Sequence, residues 1–388
     1  MKKITSLTFF SLFMVQLSAY AATTSWKGTV SRDWSKAGNW TAGTPTATVD
    51  VIIGDASFTG ANQPDLSANS FCKSLTIGTG SKVATLKVDQ TLTVSGDVVI
   101  GTNGTINHPS RTMSLTGNWM KVGAYTASGN GTTVTFSGTT QSINGTTTFR
   151  KLTVNAGSVT VLNANVTVVN QLTVSGTLDP NEAPTRVVSG AGKLVVSSGG
   201  RLQVRASTFA GNYGLTGSKT LNAGSTVDYA ATTVNQTVNT FVPSTTVYGT
   251  LRISGALTKT LPGNLPALAS SLATSGNIVV DAGTFDLAGF TANRGTAGLG
   301  GTLSVANGAT LKIGGTNSVP TNYRTHTLGV SSTVEYSGTN QSVAVESYGN
   351  LTLSTSSGAV TKTLPAAVLT IAGNLTSTAA VGQQSSFK

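Results

Sequence analysis

Residues 301–313 read GTLSVANGATLKI, and residues 192–204, GKLVVSSGGRLQV, match them position by position. Each holds two short stretches in which apolar and polar residues alternate, ending in Leu311-Lys312-Ile313 and Leu202-Gln203-Val204. A period of two is that of a β-strand with one buried face, and Gly, Asn or Ser turns the chain after about three to five residues. The same Leu-x-Val or Leu-x-Ile unit recurs at Leu75, Leu86, Leu92, Leu152, Leu172 and Leu251.

Two geometries produce such a string: antiparallel hairpins in a sandwich or barrel, and parallel coils in a solenoid. Asn-Gly pairs at Asn103, Asn130, Asn144 and Asn307 keep the hairpin alternative open. Length weighs the other way, because a chain of 388 residues with uniform texture and no evident linker would need several sandwich domains, whereas a solenoid simply adds coils.

Longer repeats strengthen the solenoid. STVDYAATTVNQTV at 225–238 returns as STVEYSGTNQSV at 332–343, with an earlier relative, TTVTFSGTTQSI, at 132–143. Each is followed by a second block, TFRKLTV at 148–154, VYGTLRIS at 247–254 and SYGNLTLS at 347–354. The later two continue into Thr-Lys-Thr-Leu-Pro at 258–262 and 361–365. A super-repeat of roughly a hundred residues holding several coils follows. Coils of about 20 residues rising about 4.8 Å each predict a rod some 80 to 90 Å long. Leu, Val and Ile stack inside it and Thr, Ser and Asn outside. The expected fold is all-β, a right-handed parallel β-helix with an N-terminal cap.

The remaining segments are read around that rod. Lys2 and Lys3 precede an apolar run from Ile4 to Leu17 that ends Ala19-Tyr20-Ala21, the pattern of a secretory leader cut after Ala21 or Ala22. Residues 1–21 are therefore assigned to a signal peptide and the chain to export, extracellular or at the cell surface. No later stretch has the uninterrupted apolar length of a transmembrane helix. Residues 22–66 hold Trp26, Trp34 and Trp40, three of the four tryptophans, and are expected to cap the core. Residues 67–388 are the repeat region, and 379–388 read as a repeat cut short.

Composition excludes several functions. Only 10% of residues are charged and Gly numbers 45, so helices are disfavoured, yet 38% apolar residues suffice for a core. The formal charge is +11, but nothing is denser than the pair Arg150-Lys151, which argues against a nucleic-acid reader and for diffuse attraction to surface glycans or envelope polymers. One cysteine, Cys72, allows no intramolecular disulfide and reads as a small buried hydrophobe.

The block SWKGTVSRDWSKAGNWTAGTPTATVDVIIG, Ser25 to Gly54, resembles the N-terminal signature of large secreted surface proteins of Bacteroidetes and related bacteria. The matching positions are Trp26, Gly28, Asp33, Trp34, Asn39, Trp40, Gly43, Pro45 and Asp50. GTLSVANGATLKIGG is similar to the passenger coils of autotransporter and filamentous-adhesin β-helices. The resemblance implies a right-handed parallel β-helix displayed on a cell surface, although no terminal barrel, sorting domain or wall anchor is visible before Lys388.

Chemistry-bearing residues are sparse. His108 and His326 stand beside turn residues and read as solvated loop histidines. Asp228, Asp281 and Asp286, or Asp50 and Asp55, are the nearest approach to an acidic cluster, and turn or capping roles explain Asp50 and Asp281. Exposed rings stack on sugars, which makes Trp119 and Tyr125 the ligand-binding candidates, while core closure is preferred for the three N-terminal tryptophans. Unequal coil lengths argue against a flat threonine array. No cofactor or metal is expected, and oligomeric state is not readable. A structural, adhesin-like stalk attaching to surfaces or glycans is the leading expectation, and a polysaccharide-active β-helix enzyme or carbohydrate-binding module is the alternative. A lateral groove with two acids and a Lys or Arg within about 10 Å would favour the alternative.

Overall fold

The computed structural model describes residues 22–241, 246–267, 275–295, 300–355, 358–379 and 385–387. The expected leader, 1–21, lies outside them, as does most of the cut-short repeat at the other end. Every strand ladder among the described residues is parallel, and the strands stack as a β-solenoid of about 15 turns. The chain is all-β with almost no helix; Phe209–Asn212 forms a single α-turn. Asn-Gly steps thus turn corners between coils and do not close hairpins.

Each turn visits three faces. Face I is a 14-stranded sheet running from Thr23–Ser25 to Thr325–Leu328. Face II begins with the three-stranded sheet ending at Ala124–Ala127 and resumes as the seven-stranded sheet from Gln236–Thr237 to Leu375–Ala379. Face III begins with the strands from Ser70–Cys72 to Lys219–Leu221 and includes the later three-stranded sheet from Gln341–Ser342 to Ser385–Phe387. Between the two sheets of face II, the long strands Thr147–Val154 and Val166–Val174 bend round the corner, so that their first halves continue face II and their second halves face III.

The alternation seen in the sequence sets the packing. Leu172 and Ile313 have no exposed surface, while Thr173 and Lys312 beside them face outward. Along face I one inward column reads Leu202, Val227, Leu251, Ile278, Leu303. Coil length is not constant: Val159 pairs with Thr177, 18 residues on, and Thr250 with Asn277, 27 residues on. The differences are absorbed at corners, so ladders stay in register. Fifteen turns at about 4.8 Å make a stack of about 70 Å, shorter than the sequence suggested because most turns take more than 20 residues.

The tryptophan segment is part of the same stack. Thr23–Ser25 pairs with Asp50–Ile53 as the first rungs of face I, and Asp33, Asp65 and Lys87 bridge in parallel along face II. Trp26, Trp34 and Trp40 are buried, with Trp40 edge-on to both partners at 4.9 and 4.8 Å. Indole N–H groups of Trp26 and Trp40 donate to the carbonyls of Asn62 and Trp34, 2.7 Å each. Buried Asn39 accepts from the amides of Val30 and Ser31 and donates to the carbonyl of Asp33. Gly28 takes φ +66° with Phe58 and Asn62 against it, a position where a side chain would collide. Gly43 also has positive φ, and Pro45 is buried.

The super-repeat has a geometric meaning. In its three copies a glutamine, Gln141, Gln236 or Gln341, is buried at a corner. Each accepts from an amide three or five residues earlier (Gly138, Ala231, Gly338) and donates to two carbonyls of the preceding turn. The strands leading into these corners are Thr133–Phe136 on face III, Thr226–Tyr229 on face I and Thr333–Tyr336 on face II. From each copy to the next the chain completes four turns and then advances by one face.

Candidate functional site

On face II the sequences TFDLAG, TLKIGG and TVEYSG, at 284–289, 310–315 and 333–338, lie directly over one another. Their first residues extend a threonine ladder, Thr258, Thr284, Thr310 and Thr333. Two residues further along each strand, Asp286, Lys312 and Glu335 form a second outward column, one charge per rung. They line a groove of about 460 Å³ whose wall includes Ser337, Thr339 and Ser354. Gly314, Gly315 and Gly338 keep that wall low.

Within the groove, Asp286 spends one carboxylate oxygen on the Ala288 amide at 2.8 Å, and Glu335 accepts from the Ser354 hydroxyl at 2.6 Å. The Lys312 ammonium has no hydrogen-bond or ion-pair partner among the described residues. It stands one rung from each carboxylate, and the carboxylates are two rungs apart, about 9.6 Å. Chemically, the groove offers a free cation, two partly free carboxylates and several hydroxyls, with Lys312, Asp286 and Glu335 half-exposed. Such a set hydrogen-bonds polyols well. Glu335 and Lys312 were not singled out from sequence; aligning the three T-x-(D/K/E)-x-x-G strings would have placed them beside Asp286.

Several charges elsewhere are spent on structure. Asp228 is fully buried and takes two donors from Arg201 and the Ser254 hydroxyl at 2.8 Å. Arg205 grips Asp179 with two N–H groups at 3.2 and 3.0 Å and lies 3.7 Å from Glu182. Asp281 pairs with Arg252 at 2.5 Å, an ion pair where a turn role was expected. Asp50 likewise does more than cap: it accepts from Ser74 and pairs with Lys73 at 3.3 Å. Burial works to raise the Glu182 carboxyl, but hydrogen bonds from Thr233 and Thr232 outweigh it and hold the group below the usual carboxylate range. Hydrogen bonds from Ser67 and Ser35 do the same for Asp33.

Several expectations are corrected. Trp119 and Tyr125 are not exposed stacking rings: both point inward, packed edge-on at 5.0 Å and against Phe149, with the Trp119 indole N–H on Thr147. Inward parity of their strands, invisible without the register, accounts for this. His108 is no solvated loop residue either; it is buried on the strand Gly104–His108, 3.0 Å from the Tyr125 hydroxyl, and burial drives its pKa down to about 4, leaving a neutral ring. His326 lies on the strand Thr325–Leu328, over Leu303, with Nδ1 2.5 Å from Glu346. Cys72 is buried and burial pushes its thiol pKa far up, so it is inert.

The fold and its lateral groove define a parallel β-solenoid repeat protein. A family model described as a domain of unknown function, DUF8693, matches residues 25–115, which span the tryptophan segment and the turns that follow it. No curated protein and no solved structure matches the chain. No helix of the described residues is long and apolar enough to cross a membrane.

Proposed function

We propose that this chain is an exported, surface-displayed stalk that attaches to glycans, related to secreted Bacteroidetes-type surface proteins and adhesin β-helices, and that it is not an enzyme. The carrying observation is the apolar interior: among the described residues, apolar columns run from Trp26 to Leu353, and the glutamines buried at the corners bind backbone carbonyls. Exposed threonine, serine and asparagine ladders give such a rod many weak hydrogen-bonding contacts with polyols.

One observation favours a second reading, a polysaccharide-active enzyme. Asp286 and Glu335 share a groove with Lys312 at a separation close to that of paired carboxylates in inverting glycosidases. Against it, such a pair needs one carboxyl sunk among apolar side chains so that it keeps its proton, and both of these are half-exposed among Ser, Thr and Gly. The groove is read as a binding surface.

A paired assay of glycan depolymerisation and of attachment, on the parent chain and on Asp286→Ala, Glu335→Ala, Asp228→Ala, His108→Ala and His326→Ala, separates the readings. The stalk predicts no cleavage by the parent and attachment retained wherever the variant stays folded. Cleavage by the parent that falls by about 10² or more in Asp286→Ala or Glu335→Ala would establish the enzyme.

A further inference from the structure

Face III differs from the other two in its charges. None of its strands from Ser70–Cys72 to Lys219–Leu221 contains an acidic residue. Its central outward column reads Thr93, Ser114, Thr135, Thr153 and Thr173, in register over five successive turns. Flanking it, Lys151, Gln171 and Lys193 occupy consecutive rungs of the next column. Neither lysine ammonium has a hydrogen-bond or ion-pair partner among the described residues, whereas neighbouring Arg150 is held by the Ser128 carbonyl and Asn130. The other outer column on these rungs, Asn155, Ser175 and Ser197, is again uncharged. Unequal coil lengths do not break this column, because the extra residues leave at the corners.

We infer that face III docks a linear acidic polysaccharide lying parallel to the rod axis, with Lys151 and Lys193 pairing to carboxylates on alternate sugars and the Thr153–Thr173 ladder meeting sugar hydroxyls. The rung spacing of about 4.8 Å is close to the length of one extended hexose residue, so each turn presents one set of polar groups per sugar. The two lysines are two rungs apart, which matches one carboxylate per disaccharide. Freedom from acids supplies the charge complementarity that faces I and II, with their carboxylates, lack. The inference rests on the glycan-contact reading above and specifies the face and the polymer.

Binding is measured on the whole exported chain by calorimetry at low salt with three probes: hyaluronate, which bears a carboxylate on alternate residues, alginate, which bears one on every residue, and neutral dextran. Hyaluronate is expected to bind tightest, weakening as salt rises. Lys151→Glu/Lys193→Glu should lower affinity about tenfold or more, and Thr153→Val/Thr173→Val should lower it with no change in net charge. Lys36→Glu/Lys82→Glu, an equal charge change on exposed lysines off this face, should leave it within about twofold. Equal losses in the two glutamate pairs would assign the attraction to overall charge and overturn the site. Hyaluronate that binds no tighter than neutral dextran would overturn the acidic-polymer assignment. A parent that attaches to cells but binds none of the acidic polymers overturns this inference alone, whereas failure of both attachment and binding removes the stalk reading too. Unchanged unfolding midpoints verify that each variant is folded.

Discussion

Lys259 and Lys362 hold the same place in two copies of the repeat, each one rung above a corner glutamine and without exposed surface. Their ammonium groups donate to backbone carbonyls, Ala231 and Leu257 for one, Gly338 and Thr339 for the other. Burial without a carboxylate partner lowers both to about 8. In the folded chain these groups release their protons earlier than in the unfolded chain, so folding strengthens as pH rises from about 8 toward 10. Urea midpoints at pH 7.5 and 9.5 should therefore increase in the parent, and Lys259→Met/Lys362→Met should flatten the rise. A parent midpoint that falls over this window would contradict the assignment. The inward and outward parity carries a second prediction. Leu172→Asp and Ile313→Asp bury an unpaired charge and should cost several kcal/mol, whereas Thr173→Asp and Lys312→Asp should cost less than about 1 kcal/mol. Comparable losses in all four would mean the register is wrong.

At the scale of elements, the corners decide what the strands cannot. Gln141, Gln236 and Gln341 each satisfy one amide and two carbonyls that the turn would otherwise leave unpaired. Gln341→Leu should cost about 1 to 3 kcal/mol in denaturant unfolding, with a smaller effect from the exposed neighbour Asn340→Ala. The strands were legible in the sequence because a period of two leaves its mark in neighbouring residues, as in Leu311-Lys312-Ile313. Contacts across turns were not. Whether Asp286 lies one rung from Lys312, or whether Trp119 points in or out, depends on coils of 17 to 27 residues closing at the right corner. Single-residue reading of His108 and Asp281 failed for the same reason: their partners, Tyr125 and Arg252, lie a turn away.

For the whole molecule, the described rod should give a far-ultraviolet circular dichroism spectrum dominated by β-structure, with helix below about a fifth of the chain. A larger helical signal would contradict the stack. The advance of each super-repeat by four turns and one face has a consequence for how such a chain varies. Duplicating or losing one whole super-repeat would change the azimuth of everything beyond the junction by a third of a revolution. The grooved side bearing Asp286 and Glu335 would then point where another side had pointed, at about 20 Å greater or lesser height. Copy number in this architecture is thus a rotary setting as well as a ruler, and two length variants displayed side by side would offer different sides to the same neighbour.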